Sequence, residues 1–300
     1  MTQDVFEDKF KRVGEIRQGK DVCLKSLSSY RVGGIARTVW YPANALELTE
    51  LVNYFDLLKE RFWIVGGGAN TIFDDGDIET ALISTSKMDA VSIDAGRVTA
   101  GAGVVLDQLV RQSVGSGLEG LEKLSGIPGS IGGAVWMNAG AYGAEISDCI
   151  TKVTVIAAGR LMTLSKEDCR FNYRSAAALK ELIVVEAEWL LTEGDSSSLL
   201  AIRKDILARR TEKQPLDFPS CGSVFKRPEG DYASRLIDAA GLKGFQIGGA
   251  QVSEKHAGFI INRGGATAAD VFAVIAHCQN VVKAKFGVAL ELEQQVLRAD

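Results

Sequence analysis

The sequence predicts an α+β chain, and three observations carry that reading. Apolar residues recur at helical spacing in several stretches. Between them lie short apolar runs bounded by glycine or polar turns, as strands are. One segment, residues 126–143 (GIPGSIGGAVWMNAGAYG), has six glycines in eighteen residues and suits neither element at ordinary length. A length of 300 residues points to about two domains, with three small ones possible.

Taken in order, residues 44–59 place Leu48, Leu51, Val52, Phe55 and Leu58 on one helical face. The run Phe62-Trp63-Ile64-Val65 reads as a strand and leads into Gly66-Gly67-Gly68-Ala69-Asn70. Val91-Ser92-Ile93 and Val98-Thr99-Ala100 read as strands around a turn at residues 95–97. Leu106, Leu109, Val110 and Val114 share a helical face that Gly115 and Gly117 stop. Residues 152–158 and 182–191 read as strands. Residues 196–198, all serine, offer a cap to a helix carrying Leu199, Leu200, Ile202, Ile206 and Leu207. The polar stretch 209–219, with two prolines, reads as a domain junction. Residues 232–240 and 268–286 read as helices, the second capped by Thr267 and stopped by Gly287. A closing strand over 288–296 turns Leu290 and Leu292 one way and Glu291 and Glu293 the other.

Composition narrows the function classes. The net charge of -4 carries no basic bias, so nucleic acid is not an expected partner. Any phosphate must then be met by local features. The five cysteines, at 23, 149, 169, 221 and 278, form no CxxC pair, and there are two histidines. Metal centres and disulfides are therefore not expected, and a reducing cytoplasm fits. The N-terminal run MTQDVFEDKFKRVGEI mixes charges too freely for a signal peptide. No apolar run is long enough for a membrane span, so no membrane is expected.

The glycine-rich segments carry the first functional signal. A backbone stripped of side chains lets a bulky anionic ligand approach, with N–H groups aimed at phosphate oxygens. For residues 126–143 that makes a nucleotide or dinucleotide cofactor the functional reading, against tight packing between domains. For residues 66–70 the choice lies between a pyrophosphate cradle and an ordinary loop from strand to helix. Residues 115–120 spell GxGxxG but follow a helix, so the dinucleotide geometry is missing. Arg174 follows the aromatic pair Phe171 and Tyr173, Ser223 lies in a turn-like stretch, and Glu293 shares a strand face with Glu291. Spacing alone does not select these three. Cys221 lacks a visible base partner and reads as a small buried residue.

Seven blocks in order give a resemblance over nearly the whole chain. They are Tyr30-Arg31-Val32-Gly33-Gly34, residues 65–70, residues 121–148, Tyr173-Arg174-Ser175, residues 222–226, residues 242–250 and residues 290–293. Together they resemble the UDP-N-acetylenolpyruvoylglucosamine reductase family, flavoenzymes that complete UDP-N-acetylmuramate for bacterial cell walls. The resemblance implies a two-part FAD-binding domain of the vanillyl-alcohol-oxidase type, over 1–88 and 89–205, and a C-terminal α/β substrate-binding domain over 206–300. The chain has no tyrosine between Tyr173 and Tyr232, and so resembles the shorter form of the family, which lacks a tyrosine-bearing loop.

The implied reaction has two halves. NADPH reduces non-covalent FAD and leaves. UDP-N-acetylglucosamine enolpyruvate then takes hydride from flavin N5 and a proton at the carbon beside its carboxylate. By resemblance, Arg174 steadies the carboxylate, Ser223 delivers the proton, and Glu293 hydrogen-bonds in its protonated form, with a raised pKa. The implied FAD contacts are Gly66, Gly67, Gly68, Ala69, Asn70, Thr71, Ser125, Gly126, Gly129, Ser130, Gly132, Gly133, Asn138, Ala139, Gly140 and Tyr142. Tyr142 is also a candidate for substrate contact. Lys213, Lys226, Arg227, Lys243 and His256 are candidates for the diphosphate and uridine. Both histidines lie in the last third, away from the flavin blocks, so no covalent flavin link is expected.

Three positions depart from the family pattern: Cys221 stands for alanine, Ala176 for a hydroxyl residue, and Gln294 for valine or isoleucine. The enzyme is expected in the cytoplasm, with no oligomer required. An oxygen-using sugar oxidase and a nucleotide-binding regulator are the alternatives. The missing flavin-linking histidine speaks against the first, and the three retained chemical residues against the second.

Overall fold

A computed structural model of the protein describes residues 11–299. Most of the N-terminal run weighed against a signal peptide lies outside the described residues. The chain forms two compact units. Unit 1 holds the described residues up to Lys20, Thr38–Gly67 and Thr80–Leu207. Unit 2 holds Asp21–Arg37, Gly68–Glu79 and the described residues from Ala208 onward. The glycine run at 66–68 is thus divided, with Gly67 ending one segment and Gly68 opening the next.

In unit 1, helix α1 (Ala45–Leu58) starts where the Asn44 side chain accepts the Glu47 N–H at 3.0 Å. It ends at Lys59 in left-handed conformation, φ 58°. Its buried face of Leu48, Leu51, Val52 and Phe55 packs on Val13, Ile16, Trp40 and Ile83. Beside it the strands Phe62–Val65 and Ala81–Ser84 pair in parallel.

A second sheet is antiparallel, in the order Arg160–Ser165, Ile150–Ala157, Ile183–Leu190, Arg97–Gly101, Val91–Asp94. Its first strand has no sequence signal, because Arg160 to Thr163 are exposed in succession and no alternation marks an inner face. Helix α2 (Leu106–Gly115) and the six-residue helix α3 (Ile131–Trp136) cover the core around fully buried Trp189. Helix α4 (Ser196–Lys213) is capped by Asp195, whose carboxylate accepts the Ser198 N–H at 2.8 Å and the Ser197 hydroxyl at 2.6 Å. The three serines expected to cap it therefore do not: an anionic side chain one residue earlier meets the free amides and the helix dipole better. The division between the units falls after Leu207, beside the start of the expected junction over 209–219, but the chain there is helical and not a loop. Helix α4 runs on through Lys213, since 209–213 holds good helix formers and the first proline comes only at 215.

In unit 2, helix α5 (Ala233–Ala239) packs against helix α6 (Ala268–Phe286), which also packs against a three-stranded antiparallel sheet of Gln246–Ile247, Ala250–Val252 and Ile260–Asn262. The expected ends of α6 are present. Thr267 and Asp270 form a capping box, and Gly287 closes the helix at φ 72°. Asp75 adds a second anionic cap, accepting the Ala268 and Ala269 N–H groups at 2.8 and 2.9 Å.

The closing segment is not one strand. Residues 291–293 hydrogen-bond to 224–226, through Lys226 N–H to Glu291 O and Glu293 N–H to Val224 O, both 2.9 Å. Gln295–Leu297 instead pairs in parallel with Thr71–Phe73. The change of partner falls at Gln294 and breaks the ladder, although the inward alternation of Leu290 and Leu292 continues to buried Gln294.

Candidate active site

In unit 1 two glycine tracts meet backbone to backbone. Gly67 N–H donates to Ser130 Oγ at 3.1 Å. A Cβ at Gly66 would lie 2.4 Å from Ser130 Oγ, and one at Gly67 would lie 2.8 Å from Gly129 Cα and 3.0 Å from Ser130 N. At Gly67 a side chain would strike backbone, and at Gly66 it would displace the Ser130 hydroxyl. The loop at 66–70 leads into the strand Thr71–Phe73, not into the helix of the plainer reading. Gly67→Ala is accordingly expected to misplace the two tracts at a cost of about 1–3 kcal/mol. The check is FAD content and flavin absorbance of the purified variant, expected to be largely lost.

The glycine-rich run is anchored at its start by charge. Gly126 N–H donates to Asp107 Oδ1 at 2.6 Å, and Arg203 grips the same carboxylate at 2.6 and 2.8 Å. The Arg203 hydrogen bonds, with help from Gly126, hold the Asp107 carboxyl below its usual range. A lowered folded-state pKa means stability present above the ordinary carboxylate value and lost as pH falls through the lowered one. Asp107→Asn should cost about 1 kcal/mol at pH 7, the low end for a charged hydrogen bond because the carboxylate keeps some solvent. Thermal melts should show this difference shrinking below about pH 4.

The amides at the start of α3 are not all turned to a ligand, as the glycine content suggested. Ile131 and Gly132 donate to Val104 O and Ala102 O, each at 2.8 Å, so they bind the two loops together. Asn138 is likewise committed within the protein. It is fully buried at φ 48°; its amide donates to Glu145 Oε2 at 2.8 Å and Asn172 O at 3.0 Å and accepts the Ser147 N–H at 3.2 Å. Ser125, also buried, donates to Glu122 O at 2.5 Å. Open space remains where a Cβ at Gly133 or Gly143 would point. Buried Thr85 Oγ has no hydrogen-bond partner among the described residues. A side-chain-free cradle with an unsatisfied hydroxyl in the same unit fits a large polar cofactor such as FAD.

Arg174 also belongs to unit 1. It sits at φ 50° in the turn between Phe171–Asn172 and Ser175–Ala176. Its Nη2 donates to Gly140 O at 2.8 Å, and its guanidinium lies 5.2 Å from the Tyr173 ring centroid. The stacked arginine of the plainer reading is therefore present, and it also holds the glycine-rich run. Tyr142, at φ 53°, is 37% exposed and open to a ligand.

Unit 2 places Ser223 and Glu293 on neighbouring backbone. Val224 N–H bonds Gly258 O at 3.0 Å on one side, and Glu293 N–H bonds Val224 O at 2.9 Å on the other. Ser223 is exposed and Glu293 half-buried. Asn70 Nδ2 donates to Glu293 O at 3.2 Å, so the loop 68–71 supports the same residue. Glu291 is exposed and pairs with Lys226. Cys221 is buried, its thiol pushed up to about 12 by burial and set 3.5 Å from Gly68 O and Thr71 O. It packs and does not attack.

The expected cations differ in availability. Lys213 ends α4, exposed. Lys226 is paired with Glu291, and Lys243 with Asp238 at 2.7 Å. Arg227 stacks on Tyr232, 4.4 Å from its centroid. Burial holds His256 below the usual imidazole value, and its Nδ1 accepts the Gly258 N–H at 3.1 Å. It is neutral at pH 7, a hydrogen-bonding group. Sequence reasoning missed Asp107, Arg203 and Thr85; a lone polar residue far from its partner leaves no periodic or motif signal.

Residues 36–165 match the FAD binding domain family, and residues 214–297 match the family described as UDP-N-acetylenolpyruvoylglucosamine reductase, C-terminal domain. A UDP-N-acetylenolpyruvoylglucosamine reductase of Clostridium perfringens (strain 13 / Type A) is 41% identical over 300 residues, 97% of this chain and 98% of its own. One from Exiguobacterium sibiricum is 41% identical over 276 residues, 91% of each chain. Among solved structures, UDP-N-acetylenolpyruvylglucosamine reductase from Thermus caldophilus matches with TM-score 0.80 and 31% identity, over 94% of this chain and 98% of that one. Berberine bridge enzyme from Eschscholzia californica matches with TM-score 0.50 and 14% identity, over 63% of this chain and 43% of that one, a likeness of fold alone. The expected α+β fold, a vanillyl-alcohol-oxidase-type FAD-binding part followed by a C-terminal domain, is therefore present. The chain belongs to the UDP-N-acetylenolpyruvoylglucosamine reductase family of FAD oxidoreductases.

Proposed function

We propose that the protein reduces UDP-N-acetylglucosamine enolpyruvate to UDP-N-acetylmuramate with NADPH, in the cytoplasm, for peptidoglycan precursor synthesis. FAD, when bound, supplies the relay of hydride from NADPH to the substrate's terminal enol carbon. The observation that carries the reading is the backbone bond from Glu293 to Val224, which sets a carboxyl one register position from Ser223. Each residue then has a task set by charge. As hydride arrives, negative charge grows on the substrate carboxylate, and Arg174, always cationic and fork-shaped, is suited to hold it. Ser223 gives its proton to the carbon beside that carboxylate, a short transfer to a strong base. Glu293 keeps its own proton and donates a hydrogen bond to the charge-bearing oxygens.

FAD is held by the tracts 66–71 and 125–142, where the open space beside Gly133 supports close ligand approach. Lys213, Lys226, Arg227 and Lys243 hold the diphosphate, with His256 as a neutral hydrogen-bond partner. Lys226 and Lys243 exchange their carboxylates for it. The functional spans 1–88, 89–205 and 206–300 are supported by three hydrophobic cores whose members fall mainly within them. Optical titration tests the whole. The protein should be yellow, bleach with NADPH under nitrogen, and regain colour on adding the enolpyruvyl sugar nucleotide. Colour returning with oxygen but not with that substrate would point to an oxidase instead, and a colourless protein that binds no FAD ends the reading.

A further inference from the structure

Gln294, one of the departures from the family pattern, is 3% exposed, and a buried primary amide needs partners. It has them. Nε2 donates to Cys221 O at 3.0 Å, and Tyr30 Oη lies 3.2 Å from Nε2 and 3.3 Å from Oε1. The Cys221 carbonyl can only accept, which fixes the amide's orientation. Tyr30 is itself fully buried, and burial raises its hydroxyl far above the ordinary phenol value, so it stays neutral. Asn262 continues the chain, donating from Nδ2 to Tyr30 O at 2.9 Å while its Oδ1 accepts the Gly264 and Ala266 N–H groups at 2.9 and 3.2 Å.

The position of this amide is what matters. Gln294 directly follows Glu293, and Cys221 lies two residues before Ser223. The bond Gln294 Nε2 to Cys221 O therefore closes a second link between the two segments, beside the backbone bond from Glu293 N–H to Val224 O. It does so at the residue where the closing segment leaves 224–226 to pair with 71–73. No ladder continues there, and the amide adds a side-chain bond to the Phe225–Leu292 bridge and its flanking bonds. We propose that Gln294 is a positioning residue that locks Ser223 and Glu293 into register through the Cys221 carbonyl, with Tyr30 orienting its amide. A valine or isoleucine could fill the space but not make either bond. The departure thus substitutes a polar clamp for apolar packing at this point.

This proposal rests on the proposed roles of Ser223 and Glu293. The test uses the FAD-loaded Gln294→Met and Tyr30→Phe variants, with flavin reduced by dithionite and reoxidised by the enolpyruvyl sugar nucleotide in stopped flow. Misplacement by a fraction of an ångström should slow reoxidation at saturating substrate by about tenfold to a hundredfold in Gln294→Met, and by about threefold in Tyr30→Phe. The solvent deuterium isotope effect should rise in both as proton delivery becomes limiting. Flavin reduction by NADPH and the substrate concentration giving half-maximal rate should stay within about twofold of the parent protein. Parent-like reoxidation with an unchanged isotope effect in either variant overturns the proposal, as does equal loss of both half-reactions in a variant that retains its FAD and melting temperature. If Gln294→Met does not fold, Tyr30→Phe decides alone. Ser223→Ala is run beside them. Should it reoxidise at the parent rate, the proposed function of Ser223 fails first, and that failure is separate from any result at Gln294.

Discussion

Ser223→Ala is expected to leave flavin reduction by NADPH at the parent rate and to slow reoxidation by the enolpyruvyl sugar nucleotide by about 10²–10⁴-fold, the usual worth of a positioned proton donor. The asymmetry follows from where the serine is needed. Hydride leaves NADPH without a proton being delivered to carbon, so the first half-reaction has no use for the hydroxyl. The second half ends with a proton on the carbon beside the carboxylate. A serine hydroxyl is a poor acid in water, but an enolate is a strong base, and the exposed Ser223 is held by Val224 bonding Gly258 on one side and Glu293 on the other. Removing one oxygen from an exposed position disturbs little packing, so melting temperature and FAD content should be unchanged. Glu293→Gln should resemble it in the half-reaction affected, since a neutral amide can still donate but holds a different geometry. Equal slowing of both halves in Ser223→Ala, with FAD retained, would remove the serine from the proton path.

How much of this was legible in the sequence depends on how local each signal is. Helix α6 is the clearest case. Its apolar stripe, capping threonine and closing glycine all lie within 267–287, and the structure has each of them. For α1 the stripe holds at Leu48, Leu51, Val52 and Phe55, while Leu58 at the helix end is exposed. Failures came where the deciding partner is distant. The strand Arg160–Ser165 is held by pairing to Ile150–Ala157 and shows no alternation of its own. The closing segment looked like one alternating strand because the side-chain period survives a change of partner, while the hydrogen-bond ladder does not. For the site, the glycine tracts suggested bare backbone open to a ligand, and at Gly67 that backbone instead packs against Gly129 and Ser130. The sequence could not say that Ile131 and Gly132 spend their amides on a neighbouring loop, or that an aspartate nineteen residues before Gly126 anchors the run. Arg174, Ser223 and Glu293 were named through resemblance alone. That the segments of two of them are neighbours became visible only with the backbone bond from Glu293 to Val224.

Arg174→Ala should slow reoxidation by the enolpyruvyl sugar nucleotide by about 10²–10³-fold, the loss typical of removing a group aimed at developing charge. Arg174→Lys should recover only part of this, since a point charge cannot match both carboxylate oxygens. The local structure sharpens the expectation. A non-glycine residue at φ 50° carries a conformational cost of about 1–2 kcal/mol, and Arg174 holds that conformation while bonding Gly140 O and lying over Tyr173. The side chain is thus set in place before substrate arrives, which favours the transition state over a loosely held ground state. Arg174 also braces the glycine-rich run, so its loss could act through the flavin and not through the substrate. The methyl ester of the substrate separates the two. It lacks the charge that Arg174 is proposed to meet, so the parent enzyme should already handle it poorly, and Arg174→Ala should add little further loss. If the variant slows acid and ester by the same factor, or sheds its FAD, the arginine serves the fold of the run and the carboxylate must be met by another residue.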